Sequence, residues 1–177
     1  MKYLIYIIIA ASLLLLSCDN KPSLQKYFVE NQDNPNFISF DLSSSLLNVD
    51  KAKLTDKQKK ALESFSKINV LAFKVNKQNK AEYESQKAEL DQVFKDKKYQ
   101  ELIKVGSGKD AASISFTGNE DHIDEFILYG NKTENGFAVL RVLGKDMNPD
   151  NLLTMLSVLK ESKINMEQLK PLEGLLK

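Results

Sequence analysis

Apolar residues recur at helical spacing in four main segments of the chain, each preceded by a residue that can cap a helix. Serine, threonine and asparagine side chains accept hydrogen bonds from the free amides of the first turn, and Gln or Glu three residues later completes a capping box. The pattern predicts a helix from Leu24 to Glu30 after Ser23, a second helix from Thr55 to about Lys67, and a third and longest helix from Asn79 to about Lys97. A last helix should begin at Pro149, after the cap Asn148, with Leu152, Leu153, Leu156 and Leu159 inside. Asp41 should open a brief helical segment with Leu42, Leu46 and Leu47.

Six other segments are rich in β-branched and aromatic residues, which favour strands. The segment Ile68–Val75 is apolar almost throughout, which is typical of a central strand that is covered on both faces. From Ala112 to Thr117, Ala, Ile and Phe alternate with Ser and Thr, so one face of this strand should be packed and the other wet. The predicted strands are Phe37–Phe40, Ile68–Val75, Glu101–Val105, Ala112–Thr117, Ile123–Tyr129 and Phe137–Leu143.

The order of these elements predicts an α+β fold. The last four strands follow one another across short separators rich in Gly, Asn and Asp, which is typical of hairpins. We therefore expect a largely antiparallel sheet of about five to six strands, ending in a four-strand meander, with helices packed on one face. In this interpretation residues 24–163 form a single domain, and residues 164–177 form a C-terminal helical extension interrupted by Pro171 and Gly174.

The start of the chain has the pattern of a secretory signal peptide. Lys2 is followed by fourteen residues that are apolar with one exception, fewer than the roughly 20 that a membrane-spanning helix needs. The segment Leu15-Leu16-Ser17-Cys18 resembles the lipobox of bacterial lipoproteins. This resemblance implies that residues 1–17 are removed by cleavage between Ser17 and Cys18, and that Cys18 is acylated with fatty acids such as palmitate. The alternative is that Cys18 is a buried thiol at the end of a transmembrane helix.

An acylated Cys18 makes a membrane the first expected partner of the protein. Two or three acyl chains anchor a protein stably, whereas one chain alone gives marginal binding. Residues 18–23 would then be a short tether that reaches about 20 Å at full extension. We expect attachment to the outer membrane, on its periplasmic face, ahead of the inner membrane or the cell surface; Asp19 favours the inner membrane under a rule that holds for enterobacterial lipoproteins.

The composition excludes several classes of site. The 177 residues carry 25 basic and 24 acidic side chains, one His and one Cys. Loss of residues 1–17 removes Lys2 and no acid, so the mature chain is close to neutral and gives no reason to expect nucleic acid as a partner. A single Cys excludes an internal disulfide, and a single His excludes a histidine-based metal centre. We expect no cofactor and no metal.

The densest group of ionisable residues is Glu120, Asp121 and His122, followed by Asp124 and Glu125. Carboxylates in one turn can bind a hard cation, and His122 with a carboxylate can act as a general acid or base. Successive residues of a strand point to opposite faces, so Asp124 and Glu125 should diverge. The competing interpretation is a solvated turn in which charge is ordinary.

Lys57 and Lys60 lie three residues apart on the second predicted helix and therefore share one surface. On a protein held close to a membrane, such lysines can contact anionic headgroups, at about 1 kcal/mol each. The competing interpretation is a solvated helix face.

Residues 18–160 as a whole resemble the small lipoproteins of Bacteroidetes that carry a domain of unknown function. The resemblance implies no established activity and supplies no catalytic residue. It rests on the acylated Cys18, a helix like Leu24–Glu30, the strand Phe37–Phe40 with the helix expected after it, the strand INVLAFKV, a long helix ending in Lys-Tyr-Gln-Glu-Leu-Ile, and a final meander whose last strand resembles Gly136–Leu140.

Three functions are consistent with these observations. The leading hypothesis is a non-enzymatic, lipid-anchored protein of the cell envelope that binds a partner protein or supports envelope homeostasis. The first alternative is a carboxylate-based envelope hydrolase, with or without His122. The second is a module that binds a small ligand or a cation, either on the open face of the sheet or in the turn at residues 120–125.

Overall fold

A computed structural model describes residues 21–43, 53–108 and 110–161 of the chain. These residues form one open, antiparallel, six-stranded sheet together with four helices. The predicted α+β class, the strand number and the antiparallel arrangement are therefore confirmed. The helices are α1 (Leu24–Asn31), α2 (Asp56–Ser64), α3 (Lys80–Val93) and α4 (Pro149–Glu161), and the strands are β1 (Phe37–Ser43), β2 (Phe65–Lys74), β3 (Gln100–Ser107), β4 (Asp110–Asn119), β5 (His122–Lys132) and β6 (Gly136–Met147).

The strand order across the sheet is β1-β2-β6-β5-β4-β3. The last four strands form the predicted meander, each paired antiparallel with the next. Strand β2 pairs with β6, so the second and last strands of the domain lie side by side in the interior of the sheet. Strands β1 and β3 are left as the two edges of the sheet.

Both faces of the sheet carry a hydrophobic core. On one side, which we call the first face, α1 and α3 pack over residues such as Leu71, Phe73 and Val139. On the other side, the second face, α4 and Leu62 of α2 pack over residues such as Val70 and Val142. The prediction placed the helices on one face, and the structure differs here. The central strands are apolar on both sides, so each side requires its own cover.

The core of the first face is largely aromatic. Phe37, Phe73 and Phe137 are each at most 7% exposed, and their ring centroids lie 5.0 to 6.0 Å apart. Tyr83 of α3 joins this cluster and donates a hydrogen bond of 2.6 Å to Asn131 Oδ1 at the end of β5. Aromatic pairs at such distances contribute about 0.5–1.5 kcal/mol beyond the burial of their area, so this cluster seats α3 firmly on the sheet.

A buried ion pair holds α1 on the same face. Arg141 of β6 is 6% exposed and donates from Nε to Glu125 Oε1 of β5. The same guanidinium donates to Gln25 Oε1 of α1 at 2.9 Å and lies over the ring of Phe28, 5.3 Å from its centroid. Asp124 and Glu125 thus diverge as predicted: Asp124 is exposed, whereas Glu125 belongs to the interior.

Two helices end earlier than predicted. Helix α2 ends at Ser64 instead of Lys67, because Phe65 turns into the second-face core, where it is 4% exposed and pairs with Gly144. Helix α3 ends at Val93 instead of Lys97, and the chain continues in turns stabilised by Asp96, whose Oδ1 accepts a hydrogen bond from the Lys98 amide at 3.1 Å.

Three local predictions were wrong in part. Asp41 does not open a helix, since residues Asp41–Ser43 continue β1; Leu46 and Leu47 lie outside the described residues. The side chain of Asn79 does not cap α3, and its Nδ2 instead donates to the carbonyl of Lys74 at 3.0 Å. Leu153 of α4 is 62% exposed, because the inward stripe of this helix is Leu152, Met155 and Val158; the side chains of Leu156 and Leu159 lie outside the described set.

Candidate functional site

The predicted cluster of ionisable residues lies in an exposed turn between β4 and β5. Glu120 and Asp121 are exposed, and Asn119 Oδ1 accepts hydrogen bonds from the amides of Asp121 and His122 at 3.2 and 3.0 Å. His122 Nδ1 lies 2.9 Å from Asp146 Oδ1, and these two side chains are 66% and 61% exposed. The structure thus joins His122 to a carboxylate that the sequence did not indicate, because Asp146 comes close only through the pairing of β5 with β6.

The other acids of this segment do not converge on His122. Asp124 is exposed, whereas Glu125 is 8% exposed and paired with Arg141 in the interior. Within residues 21–43, 53–108 and 110–161, no group of three or more His, Cys, Asp or Glu side chains is arranged to hold a metal ion.

The predicted membrane-contact lysines lie on the exposed side of α2. Lys57 Nζ is 3.7 Å from Asp150 Oδ2 of α4, and both side chains are largely exposed. Lys60 is exposed as well. The predicted cleavage and acylation residues Ser17 and Cys18, the tether as far as residue 20 and the extension at 164–177 lie outside the described residues. Of the helices in the described part of the chain, none has the length and apolar character needed to cross a membrane.

Strand β3 is an open edge of the sheet. All eight of its residues are exposed, and among the described residues it pairs with β4 alone. Three apolar side chains are among them: Leu102, Ile103 and Val105 are 39%, 51% and 65% exposed. A strand with one unpaired side presents free amides and carbonyls to any chain that approaches it, and natural edge strands usually carry charges, prolines or covers that prevent pairing.

The two faces of β3 differ in polarity. Ile103 and Val105 pair with Ile114 and Ala112 of β4 and therefore point to the second face. Glu101 and Lys104 pair with Ser115 and Ser113 and point to the first face, where they form an exposed ion pair of 3.5 Å. A bulge between residues 101 and 103 allows both charges to share this face. The edge is therefore apolar on one side and charged on the other.

A groove of about 610 Å³ lies on the first face, between α3 and the outer strands. Its floor includes Ser113 and Ser115 of β4, and its outer lip is formed by Glu101 and Lys104 of β3. Its inner wall is one side of α3, with Lys87, Ala88, Asp91 and Gln92. The sequence predicted that the serines of β4 face a wet side of the sheet, and they line this groove. Ala112, expected on the packed side, is exposed.

Three aromatic residues form one end of the groove. The ring of Phe94 lies 5.9 Å from that of Tyr99 and 5.6 Å from that of Tyr129, both edge-on. The Tyr99 hydroxyl accepts a hydrogen bond of 2.9 Å from the Leu24 amide of α1, which fixes this ring. Burial raises the pKa of Tyr129 above its usual value, and the nearby Asp91 carboxylate adds to the rise, so its hydroxyl stays protonated. That hydroxyl and Gln86 Oε1 are buried without a hydrogen-bond partner.

Sequence reasoning did not identify the groove, because its residues come from α3, the segment that follows it and three strands. The one local signal was the row of serines on β4.

Comparison with known protein families finds one match: a family model described as "Domain of unknown function (DUF4252)" matches residues 27–155, close to three quarters of the chain. No curated protein and no solved structure matches the chain.

Proposed function

The chain belongs to the DUF4252 family, and from this premise we propose that it is a lipid-anchored protein of the cell envelope that binds an extended segment of a partner protein along β3. The family description carries no activity, so the proposal rests on the chain's own residues. The observation that carries it is the open edge of the sheet, eight residues long and exposed throughout.

The lipid anchor is supported by the sequence. The segment Leu15-Leu16-Ser17-Cys18 follows an apolar run of signal-peptide length, and α1 begins only six residues after Cys18. A domain on so short a tether stays within about 20 Å of its membrane. A partner captured at β3 would therefore be held close to the same membrane.

Strand addition is the binding mode that the exposed edge and side chains of β3 suit. In this mode the backbone of the partner pairs with the free edge and supplies affinity, while alternate side chains supply specificity. Ile103 and Val105 would pack against apolar residues of the added strand on the second face. Glu101 and Lys104 would lie beside polar or charged residues on the first face. The partner segment should therefore alternate apolar and polar residues.

The opposite edge is less suited to this role. Strand β1 contributes Phe37 to the first-face core, and Phe40 and Leu42 pack against the second-face core. Asp41 on this strand accepts a hydrogen bond from Asn69 of β2. Phe37, Phe40 and Leu42 of β1 thus pack inside the domain. Ile103 and Val105 of β3, in contrast, are more than half exposed.

The central experiment introduces a charge at the edge. Val105→Lys places an ammonium group on the apolar side of β3, where it should abolish strand addition without affecting the fold, because Val105 is 65% exposed. Leu153→Lys on α4 is the matched control, since Leu153 is 62% exposed and far along the chain from β3. A photo-reactive residue at position 102 in intact cells reports contact, and the crosslinked partner is identified by mass spectrometry.

We expect a discrete crosslinked adduct that disappears with Val105→Lys and persists with Leu153→Lys. Amide hydrogen exchange with a peptide of the crosslinked segment should then protect β3 and leave β1 unchanged. An adduct made of two copies of this chain, an adduct that survives Val105→Lys, or protection elsewhere would each refute the proposal. For the anchor, Cys18→Ala should abolish labelling by a fatty-acid analogue and release the protein from membranes; continued membrane partitioning would refute acylation.

A further inference from the structure

We propose that the groove between α3 and β3–β5 binds a neutral saccharide. The inference does not depend on strand addition at β3, because the serine floor and the aromatic end that carry it lie outside this strand, and only the lip formed by Glu101 and Lys104 borders both sites. The volume of the groove, about 610 Å³, lies within the range of roughly 300–1,000 Å³ that is typical of small-molecule sites.

The charges of the groove argue for a neutral ligand. Lys87 Nζ is already 2.9 Å from Asp91 Oδ2, and Lys104 Nζ is 3.5 Å from Glu101 Oε2. The third lysine of the lining, Lys95, donates from Nζ to Gln92 Oε1 at 3.2 Å. Two of the three ammonium groups are thus matched by carboxylates and the third by an amide oxygen, so all three already have partners within the groove. An anionic ligand would have to break these pairs, and a metal cation would find no converging carboxylates in the described part of the chain.

The floor and the inner wall carry neutral polar groups. Ser113 and Ser115 present hydroxyls from β4, and Gln92 of α3 presents an amide whose oxygen accepts a hydrogen bond from Lys95 Nζ at 3.2 Å. Hydroxyl and amide groups both donate and accept hydrogen bonds, and a ligand with many hydroxyls requires that reciprocity. An apolar ligand would instead leave these groups without hydrogen-bond partners wherever it excludes water, which disfavours its binding.

The aromatic end supplies what the other face of a sugar requires. Phe94, Tyr99 and Tyr129 bring ring carbons to the groove beside the serine floor. A pyranose ring has apolar C–H faces and polar hydroxyl edges, so a surface that joins aromatic rings to hydroxyls and amides matches both parts. The combination of a mostly apolar lining with a few placed polar groups is what ligand sites in general use.

The groove is held in shape by the rest of the domain. Tyr129 packs against the first-face core, and Tyr99 is fixed by its hydrogen bond of 2.9 Å from the Leu24 amide of α1. The inner wall belongs to α3, whose Leu90 is fully buried. A preformed site avoids the entropy cost of ordering its side chains on binding.

The test uses the full chain in a detergent without a sugar headgroup and follows saturation-transfer NMR and calorimetry. The probes are chitotriose and maltotriose as neutral saccharides and trialanine as a peptide. Ser113→Leu puts a larger apolar side chain on the floor, between Lys104 and Tyr129 in the register of the sheet, and should weaken saccharide binding at least tenfold. Ser39→Leu, the same exchange at an exposed position of β1, is the control and should bind as the parent does.

Gln92→Ala gives a second variant at an exposed position of α3, outside the sheet. It should also weaken saccharide binding severalfold. Thermal unfolding checks that each variant is folded. Saccharide binding that Ser113→Leu and Gln92→Ala both weaken would support the proposal. Binding of neither saccharide, binding that both variants leave unchanged, or binding of trialanine alone would overturn it.

Discussion

Replacement of Arg141 by Met should be among the most destabilising single substitutions in the domain. Arg141 and Glu125 have side chains that are 7% and 10% exposed. Water therefore does little to stabilise the negative charge of Glu125, and the guanidinium of Arg141 takes over this role. Removing one member of a buried ion pair costs about 3–5 kcal/mol, because the other charge stays buried without a partner. Arg141→Met also removes the hydrogen bond to Gln25 and the contact with the Phe28 ring, both of which hold α1.

A double-mutant cycle separates the pair from its surroundings. Glu125→Leu alone should cost less than Arg141→Met, because Arg141 keeps its hydrogen bond to Gln25 at 2.9 Å. The double variant Glu125→Leu/Arg141→Met removes both charges and replaces them with apolar groups, which is often close to neutral. We therefore expect the double variant to be more stable than Arg141→Met and the two costs to be strongly non-additive, by about 2–3 kcal/mol.

Urea unfolding followed by circular dichroism measures these free energies of unfolding. Lys104→Met serves as the control, because it breaks an ion pair whose members are 57% and 54% exposed and should cost at most about 1 kcal/mol. A loss below about 1 kcal/mol for Arg141→Met, or costs that simply add in the double variant, would show that the charge on Glu125 is not buried as the structure describes it.

Three further predictions concern two tyrosines and a turn. Tyr83→Phe loses the hydrogen bond of 2.6 Å to Asn131 and should cost about 1 kcal/mol in urea unfolding, whereas Tyr129→Phe removes a buried hydroxyl that has no partner and should cost nothing or stabilise. Burial raises the pKa of Tyr129, so above about pH 10 the unfolded chain holds fewer protons than the folded one. The free energy of unfolding should therefore decrease above that pH, and it should decrease less in Tyr129→Phe. An equal pH slope in the two proteins would contradict this prediction. Gly136→Ala should cost more than about 1 kcal/mol in thermal unfolding, since φ is +123° and a Cβ would lie 1.8 Å from a carbonyl oxygen of β2, while Gly130→Ala, with no atom within 4 Å of its Cβ, should be nearly neutral.

Much of the local structure could be predicted because its causes are local. The Thr55 capping box forms as expected: the Thr55 side chain accepts from the Gln58 amide, and the Gln58 side chain accepts from the Thr55 amide. Ser23 caps α1 in the same manner, accepting from the Lys26 amide at 3.2 Å. The four strands after α3 also occur where composition and separators placed them. In each case the decisive hydrogen bonds or turns join residues that are neighbours in the chain.

Local pattern failed where a distant contact overrode it. Phe65 fits the helical spacing of α2, yet it is the first residue of β2. Its ring is buried in the second-face core, and this burial ends the helix before it. Leu153 is one of the leucines predicted to face the core from α4. The orientation of this helix on the sheet instead leaves Leu153 exposed and buries Met155 and Val158. A helical spacing shows which residues share a side of the helix, and packing alone decides which side is turned inward.

The amino-acid sequence by itself determined the class of the fold, the meander, most helix starts and the prediction of an acylated Cys18, because each depends on a short stretch of residues and their intrinsic preferences. The tertiary structure alone decided that β2 lies beside β6, that β3 is an open edge and that helices cover both faces. It also created the groove and paired Arg141 with Glu125 and His122 with Asp146. These features join residues that are 16 or more positions apart, so they depend on strand order and packing geometry, which no local pattern encodes.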